Sequence, residues 1–191
     1  MPPYSVLRYL DNDVMMPRME GPPGIWVCYE GLVMQLAPDI RIAVRALISR
    51  ADTVLVQRKV YEDGTERFAL PGGAPNLGET LVQGLQRECG EEIGSAVEVQ
   101  DLIHVADYFK LRDTVPPTHR QQVEFVFRCR VPQDYVAHNG PHPDKHQREV
   151  LWLETSQLCH KNFFPQGLRT IIAQRIPNDA VSWPVYLGLI E

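Results

Sequence analysis

Three carboxylates, Glu88, Glu91 and Glu92, crowd one short stretch behind Glu79 and Arg87, and Gly73 and Gly94 bracket the set. Spacings of three and four residues bring side chains together on one face of a helix. Like charges gathered in this way repel, and they do so near Gly94, where the helix dipole favours cations rather than acids. Such a cluster is an arrangement of hard oxygen donors, the kind that Mg²⁺ or Mn²⁺ prefers. A divalent cation held there would remove the repulsion, so the chemistry these residues point to is the binding of a hard divalent ion.

A helix must carry these acids, and its start is readable. Thr80 followed by Gln83 is a capping-box pattern. At about 100° per residue, Val82, Leu85, Cys89 and Ile93 form the arc that can be buried, and the acids form another. Gly84 and Gly90 inside the helix each cost about 1 kcal/mol relative to Ala. Gly84 lies one turn before Glu88, which suggests open space beside the acids. A purely structural helix would avoid most of these choices.

The stretch Gly73-Ala-Pro-Asn-Leu-Gly-Glu79-Thr-Leu-Val-Gln-Gly-Leu-Gln-Arg87-Glu88-Cys-Gly-Glu91-Glu92-Ile-Gly94-Ser95 resembles the signature box of the Nudix hydrolases, G-x5-E-x7-R-E-U-x-E-E-x-G-U, where U is a bulky aliphatic. All the fixed letters are present; by average residue frequencies that coincidence has a chance on the order of one in a million. The two departures are Cys89, which still acts as a small apolar side chain, and Ser95, which touches no catalytic letter. The preceding Phe68-Ala-Leu-Pro-Gly72 is similar to the strand and loop that lead into such a box, and flanking features carry the resemblance over residues 40–175.

The resemblance implies a role for each matching residue. Glu88 and Glu92 become principal metal ligands, Glu91 a further ligand or the holder of a metal-bound water, and Gly72 the donor of a backbone carbonyl. Arg87 and Glu79 become an ion pair fixing the loop against the helix. The general base stays open among Glu88, Glu124, Asp144 and Glu149. For substrate, Lys110, Arg112, His119 and Arg120 beside Tyr108-Phe109 supply cations for a diphosphate and rings for a base; Arg58 and Phe68 are further candidates. The expected substrate is a nucleoside diphosphate linked to another group, of the ADP-ribose or nucleotide-sugar type. The alternatives are a nucleoside triphosphate pyrophosphohydrolase and a non-catalytic nucleotide-binding regulator; regulators on this fold commonly lose box acids, and this chain keeps them. A diphosphate isomerase needs a protonating Cys, and Cys89 on the buried arc is poorly placed for that.

Composition bounds the rest. A chain of 191 residues with 44% apolar content supports one domain with a sizeable core. Its net charge of −5 argues against general nucleic-acid binding. No apolar run approaches the roughly 18 residues of a membrane span, since Arg41 and Arg45 interrupt Ile40–Ile48. Met1-Pro2-Pro3-Tyr4 has no signal-peptide character. Cys28, Cys89, Cys129 and Cys159 show no paired spacing, as expected of reduced thiols in a cytoplasmic protein.

Strands are expected at Arg41–Ser49, Thr53–Lys59, Arg67–Leu70, within Val97–Phe109, at Gln121–Val131 and at Glu149–Glu154, with a closing helix at Gln166–Gln174. Gln121–Val131 alternates apolar and polar residues, which predicts Glu124 on a polar, outward face with Gln122, Arg128 and Arg130. This order predicts an α/β fold, a mixed sheet in an α/β/α sandwich, which is also what the Nudix resemblance implies. Residues 1–39 hold six prolines and all five methionines. They read as a small N-terminal extension with a hairpin at Ile25–Tyr29 and Leu32–Leu36 around Glu30-Gly31, ahead of a catalytic domain over 40–191. Hairpins alone are marginal in water, so this one either caps the sheet or forms a homodimer contact.

Overall fold

The computed structural model describes residues 25–29, 32–37, 39–112, 114–176 and 184–190. Met1–Tyr4, most of the proline-rich arm and the Glu30-Gly31 turn lie outside the described residues. The chain divides into two units: residues 1–41 with 109–122, and residues 42–108 with 123–191.

The first unit contains β1 (Ile25–Tyr29) and β2 (Leu32–Leu36), an antiparallel hairpin with Ile25 opposite Leu36. Leu36 of β2 pairs in parallel with His119. Arg120 Nε approaches Asp39 Oδ2 at 3.9 Å in the same unit.

The second unit is the mixed sheet. β3 (Arg41–Arg50) and β4 (Thr53–Val60) meet only at their shared turn, Ser49 opposite Val54 and Arg50 opposite Thr53. Beyond that turn β4 pairs with β5 (Glu66–Ala69) on one edge and β8 (Gln147–Glu154) on the other. The chain after β5 instead runs along β3, with Ala46 N donating to Pro71 O and Val44 N to Gly73 O. β6 (Glu98–Arg112) is one long strand, β7 (Thr118–Arg130) neighbours β3, and a short β9 (Tyr186–Leu189) lies parallel to β6.

Alternation along the strands sends side chains to two cores. Val44, Ala46, Ile48, Leu55 and Val150 pack beneath Leu85, Cys89 and Ile93 of α1 (Leu81–Ile93). Leu47, Val54, Val56 and Leu153 pack against Leu168 and Ile172 of α2 (Gln166–Arg175) and Leu158 of a 3₁₀ turn at Thr155–His160. The sheet thus lies between two helices, because both its faces are apolar.

Three expectations need correction. Val82 is 38% exposed, so of the expected apolar arc of α1 only Leu85, Cys89 and Ile93 are buried. Gly84 does not open space beside the acids: a Cβ there would stand 2.9 Å from Pro75 Cα, so the missing side chain lets the preceding loop pack on the helix. The polar face of β7 is only partly outward: Arg130 is exposed, but Gln122 and Glu124 are buried. A buried carboxylate must find a partner, and Glu124 has one.

Candidate active site

The box helix begins as its residues dictate. Thr80 Oγ1 accepts from Gln83 N at 3.2 Å, and Gln83 Oε1 accepts from Thr80 N at 2.9 Å, closing the capping box. The helix ends at Gly94, whose φ of 64° is left-handed.

Arg87 lies among the acids. Its Nε and Nη2 donate to the two carboxylate oxygens of Glu79 at 2.8 and 3.1 Å, while Nη1 reaches Glu88 at 3.0 Å and Glu91 at 3.2 Å. Nη2 also donates to Ala74 O at 3.0 Å, tying the loop to the helix. Hydrogen bonding from Arg87 and from the Asn76 amide holds the Glu79 carboxyl down at about 2. The crowding of Glu88 and Glu91 is relieved here by the chain's own cation. Among the described residues no three acids, histidines or cysteines stand together as a metal cage.

Glu92 has a different setting. It is 4% exposed, and its Oε2 accepts from Gly72 N at 2.7 Å and from Gln57 Nε2. Burial pushes its carboxyl up to about 6, against the pull of Lys59, the Gly72 amide and Arg45. Gly72 is obligatory: its φ is 127°, and a Cβ there would meet Val44 O at 2.1 Å. At Gly73 a Cβ would fall 2.4 Å from Glu88 Oε1, so the glycine makes room for that carboxylate.

The Gly72 carbonyl accepts from Arg45 Nη1 at 2.5 Å, and Arg45 Nε donates to Glu124 Oε2 at 3.0 Å. Burial disfavours the Arg45 cation, yet Glu124, Glu92 and Glu88 outweigh that and hold it charged. Arg45 and Gln57 are site residues that sequence reasoning missed. Each looked like an ordinary polar position of a strand, and a half-buried cation beside three acids leaves no local pattern.

A long loop closes the C-terminal end of α1. His142 N donates to Glu91 O and Gly140 N to Glu92 O, both at 2.9 Å. Gln147 Nε2 donates to Glu92 O at 2.7 Å, and the Tyr135 hydroxyl to Ile93 O at 2.9 Å. These donors replace the basic residues that the last turn lacks. Gln147 points this way because of a bulge. β8 skips one residue between the Arg58–Glu149 and Lys59–Gln147 pairs, and such an irregularity re-aims a side chain.

The other predicted site residues fall as follows. Asp144 accepts from Lys59 Nζ at 2.5 Å; burial raises its carboxyl, but the Lys59 ammonium wins and the net shift is downward. Glu149 and Glu66 both accept from Arg58, at 2.9 and 2.7 Å on the surface, so that guanidinium is already paired. Phe68 and Tyr108 are core residues, 3% and 6% exposed, and neither offers a ring face on which a base could stack. The Lys161 ammonium also lies 5.3 Å from the Phe68 ring centroid, and the Tyr108 ring meets Phe164 edge-on at 5.6 Å. Lys110, Arg112, His119 and Arg120 belong to the first unit. Cys89 is fully buried, and burial pushes its thiol well up, so it is not a proton donor to a ligand.

A hard divalent cation fits this donor set. The available ligands are carboxylate and carbonyl oxygens, and the buried Gln57 Oε1 and Gln147 Oε1 beside Glu92 have no hydrogen-bond partner. Glu88, Glu91 and Glu92 are the residues that would hold it, with the Gly72 carbonyl nearby.

A NUDIX domain model matches residues 39–174 of this chain. A MutT-like protein of Streptomyces ambofaciens is 35% identical over 89 residues, which are 47% of this chain and 51% of that protein. The chain thus spans about half the length of the curated relative it matches. A NUDIX hydrolase of Nitrosomonas europaea superposes with a TM-score of 0.60 at 20% identity, covering 92% of this chain and 99% of that one. A UDP-X diphosphatase does so at 0.57 and 20%, over 78% and 68% of the two chains. An ADP-ribose pyrophosphatase of Streptococcus suis gives 0.53 and 17%, over 76% and 97%. Structural likeness at such identities speaks to the fold alone. With the complete box on its capped helix and the domain match running through nearly the whole second unit, this chain belongs to the Nudix family.

Proposed function

We propose that this domain hydrolyses the diphosphate bond of a nucleoside diphosphate linked to another moiety, using Mg²⁺ or Mn²⁺. The observation that carries the reading is the divided acid set on α1, with Glu88 and Glu91 on Arg87 and Glu92 buried on the Gly72 amide. No structural need explains acids at those positions, and every one matches the box. The UDP-X diphosphatase and the ADP-ribose pyrophosphatase that share the fold favour a nucleotide-sugar or ADP-ribose type of substrate.

The divalent ion, when bound, supplies charge neutralisation at the phosphoryl oxygens and acidifies water. Glu88, Glu91 and Glu92 hold the ion. Arg87 and Glu79 keep the Gly73–Gly78 loop against α1, so that the loop and the acids move as one piece. Arg45 fixes the Gly72 carbonyl and orients Glu124. Of the general-base candidates beyond the box, Asp144 and Glu149 are each tied to a cation on β4, whereas Glu124 is linked through Arg45 to the Gly72 carbonyl that leads into the box. That linkage favours Glu124 as the group that takes the proton from the attacking water. The same proposal treats residues 1–39 as an arm outside the catalytic domain of 40–191 and as a candidate homodimer contact; sedimentation with and without that arm measures it.

The test is a panel of ADP-ribose, nucleotide sugars and nucleoside triphosphates, assayed for released phosphate or monophosphate with each metal. Turnover of a diphosphate-linked compound, abolished by Glu92→Gln, is the expected result. If every compound stays intact under both metals, the reading fails. A regulator would bind nucleotide equally well as wild type or as Glu92→Gln and turn over none.

A further inference from the structure

Arg67 is a cation in an unexpected place. It sits on β5 directly opposite Lys59 of β4, and like charges so placed in an antiparallel pair repel. Lys59 is neutralised by Asp144. The Arg67 guanidinium has no hydrogen bond or ion pair with any described residue. Instead it lies over two rings, 4.7 Å from the Tyr61 centroid and 4.8 Å from that of Phe164. Tyr61 is in turn stacked on His146 at 4.5 Å. Asp63, whose carboxylate feels Arg67 weakly, is already occupied by the Thr65 amide at 2.8 Å.

The site explains why such a cation is kept. Gln57 and Lys59 alternate onto one face of β4, and Gln57 touches Glu92 there. Lys59 and its partner Arg67 therefore lie about 7 Å along the strand from the Glu92 contact, on the same side. A guanidinium lying over ring faces keeps its edge of N–H donors free, and a planar edge of this kind recognises phosphate oxygens two at a time. Arg67 is half-buried, so part of its desolvation is already met by the two rings before any ligand arrives.

We propose that Arg67, clamped by Tyr61 and Phe164, is the substrate-binding residue that grips a phosphoryl oxygen edge of the nucleoside diphosphate held beside Glu92. The proposal deepens the reading above and rests on it for the direction in which substrate lies. A purely structural Arg67 would only cover the two rings.

Calorimetry of the metal-free protein with ADP, UDP and adenosine decides between these roles without turnover. Arg67→Met is expected to weaken ADP and UDP on the order of tenfold or more while adenosine binding is unmoved. Arg67→Lys keeps the charge but not the fork and falls between. Phe164→Leu, which loosens the clamp and keeps the cation, weakens both nucleotides by a smaller factor. Under turnover conditions Arg67→Met raises KM with kcat nearly kept. Nucleotide affinity unchanged in a folded Arg67→Met, or in Arg67→Lys should the first variant not fold, overturns the proposal; so does wild-type protein that binds neither nucleotide. Wild-type protein that binds ADP through Arg67 but cleaves no compound in the panel sinks the hydrolase reading and leaves this one standing.

Discussion

Glu88 and Glu92 lie one helical turn apart in α1 and live under opposite electrostatic rules. Glu88 shares the Arg87 guanidinium with Glu79 and Glu91, in a part-exposed cluster where charge meets charge. Glu92 is buried and bonded to two neutral donors, so its charged form is poorly supported. The cluster at Glu88 is satisfied as it stands, whereas the Glu92 pocket holds an acid with no ion pair at contact distance among the described residues, Lys59 and Arg45 acting on it only from further away. The lesson is that a row of identical residues need not be a row of equivalent sites.

The largest expected effect breaks the comparison at its buried end. Glu92→Gln should lower kcat on the order of a thousandfold or more. The amide oxygen can still accept from Gly72, and no charge is left in the pocket, so Tm of the metal-free variant should equal or exceed that of wild type. A Tm several degrees lower would mean that the Glu92 charge stabilises the fold.

Removing a cation comes next. Arg45→Met takes the guanidinium away from the buried Glu124 carboxylate, and breaking such a buried pair costs about 3–5 kcal/mol. Urea unfolding measures that loss. Arg87→Ala, in the more exposed cluster, should cost only about 1 kcal/mol, yet lower activity clearly, because Glu88 and Glu91 then repel. Added Mg²⁺ should raise Tm of Arg87→Ala more than that of wild type, since the ion takes over the missing charge.

The pH dependence separates the two ends more finely. The Glu92 carboxyl is raised to about 6 in the folded chain from an ordinary 4.5. Its contribution to stability is full below 4.5 and is lost as pH rises through 6, a change of about 2 kcal/mol at most. Glu79, held down at about 2, acts in reverse: its contribution is present above 4.5 and disappears as pH falls towards 2. The difference between the Tm–pH curves of wild type and Glu92→Gln, without metal, should therefore slope between pH 4.5 and 6 and be flat above 7. The smallest stability effect is expected for Gly73→Ala. Its Cβ displaces the flexible end of Glu88 rather than backbone, so Tm hardly moves while kcat falls.

What was legible in the sequence was local. The α1 start needed only Thr80 and Gln83, and the strands at Arg41, Thr53 and Gln147 followed from alternation and turn residues. β1 and β2 fell where their apolar runs placed them. What escaped was set by partners far along the chain. β7 alternates as a half-buried strand should, and Phe127 and Cys129 are buried as expected, but Gln122 and Glu124 on the other face are buried as well, Glu124 on Arg45. Arg45, Gln57 and Arg67 carry no motif, because their roles come from strands and loops that meet only in the fold. The inward turn of Gln147 depends on one skipped residue in β8. β9 is four residues with Gly188 inside it, too short and too weak in strand propensity to register.

The fastening of the acidic helix by the Tyr135–Gln147 segment has a consequence for biosynthesis. Its final carbonyls stay bare until more than forty further residues have been made, since Tyr135 must reach Ile93 across a sequence separation of 42. A ribosome-bound chain that has emerged only through β7 would carry the whole signature and yet lack its anchor.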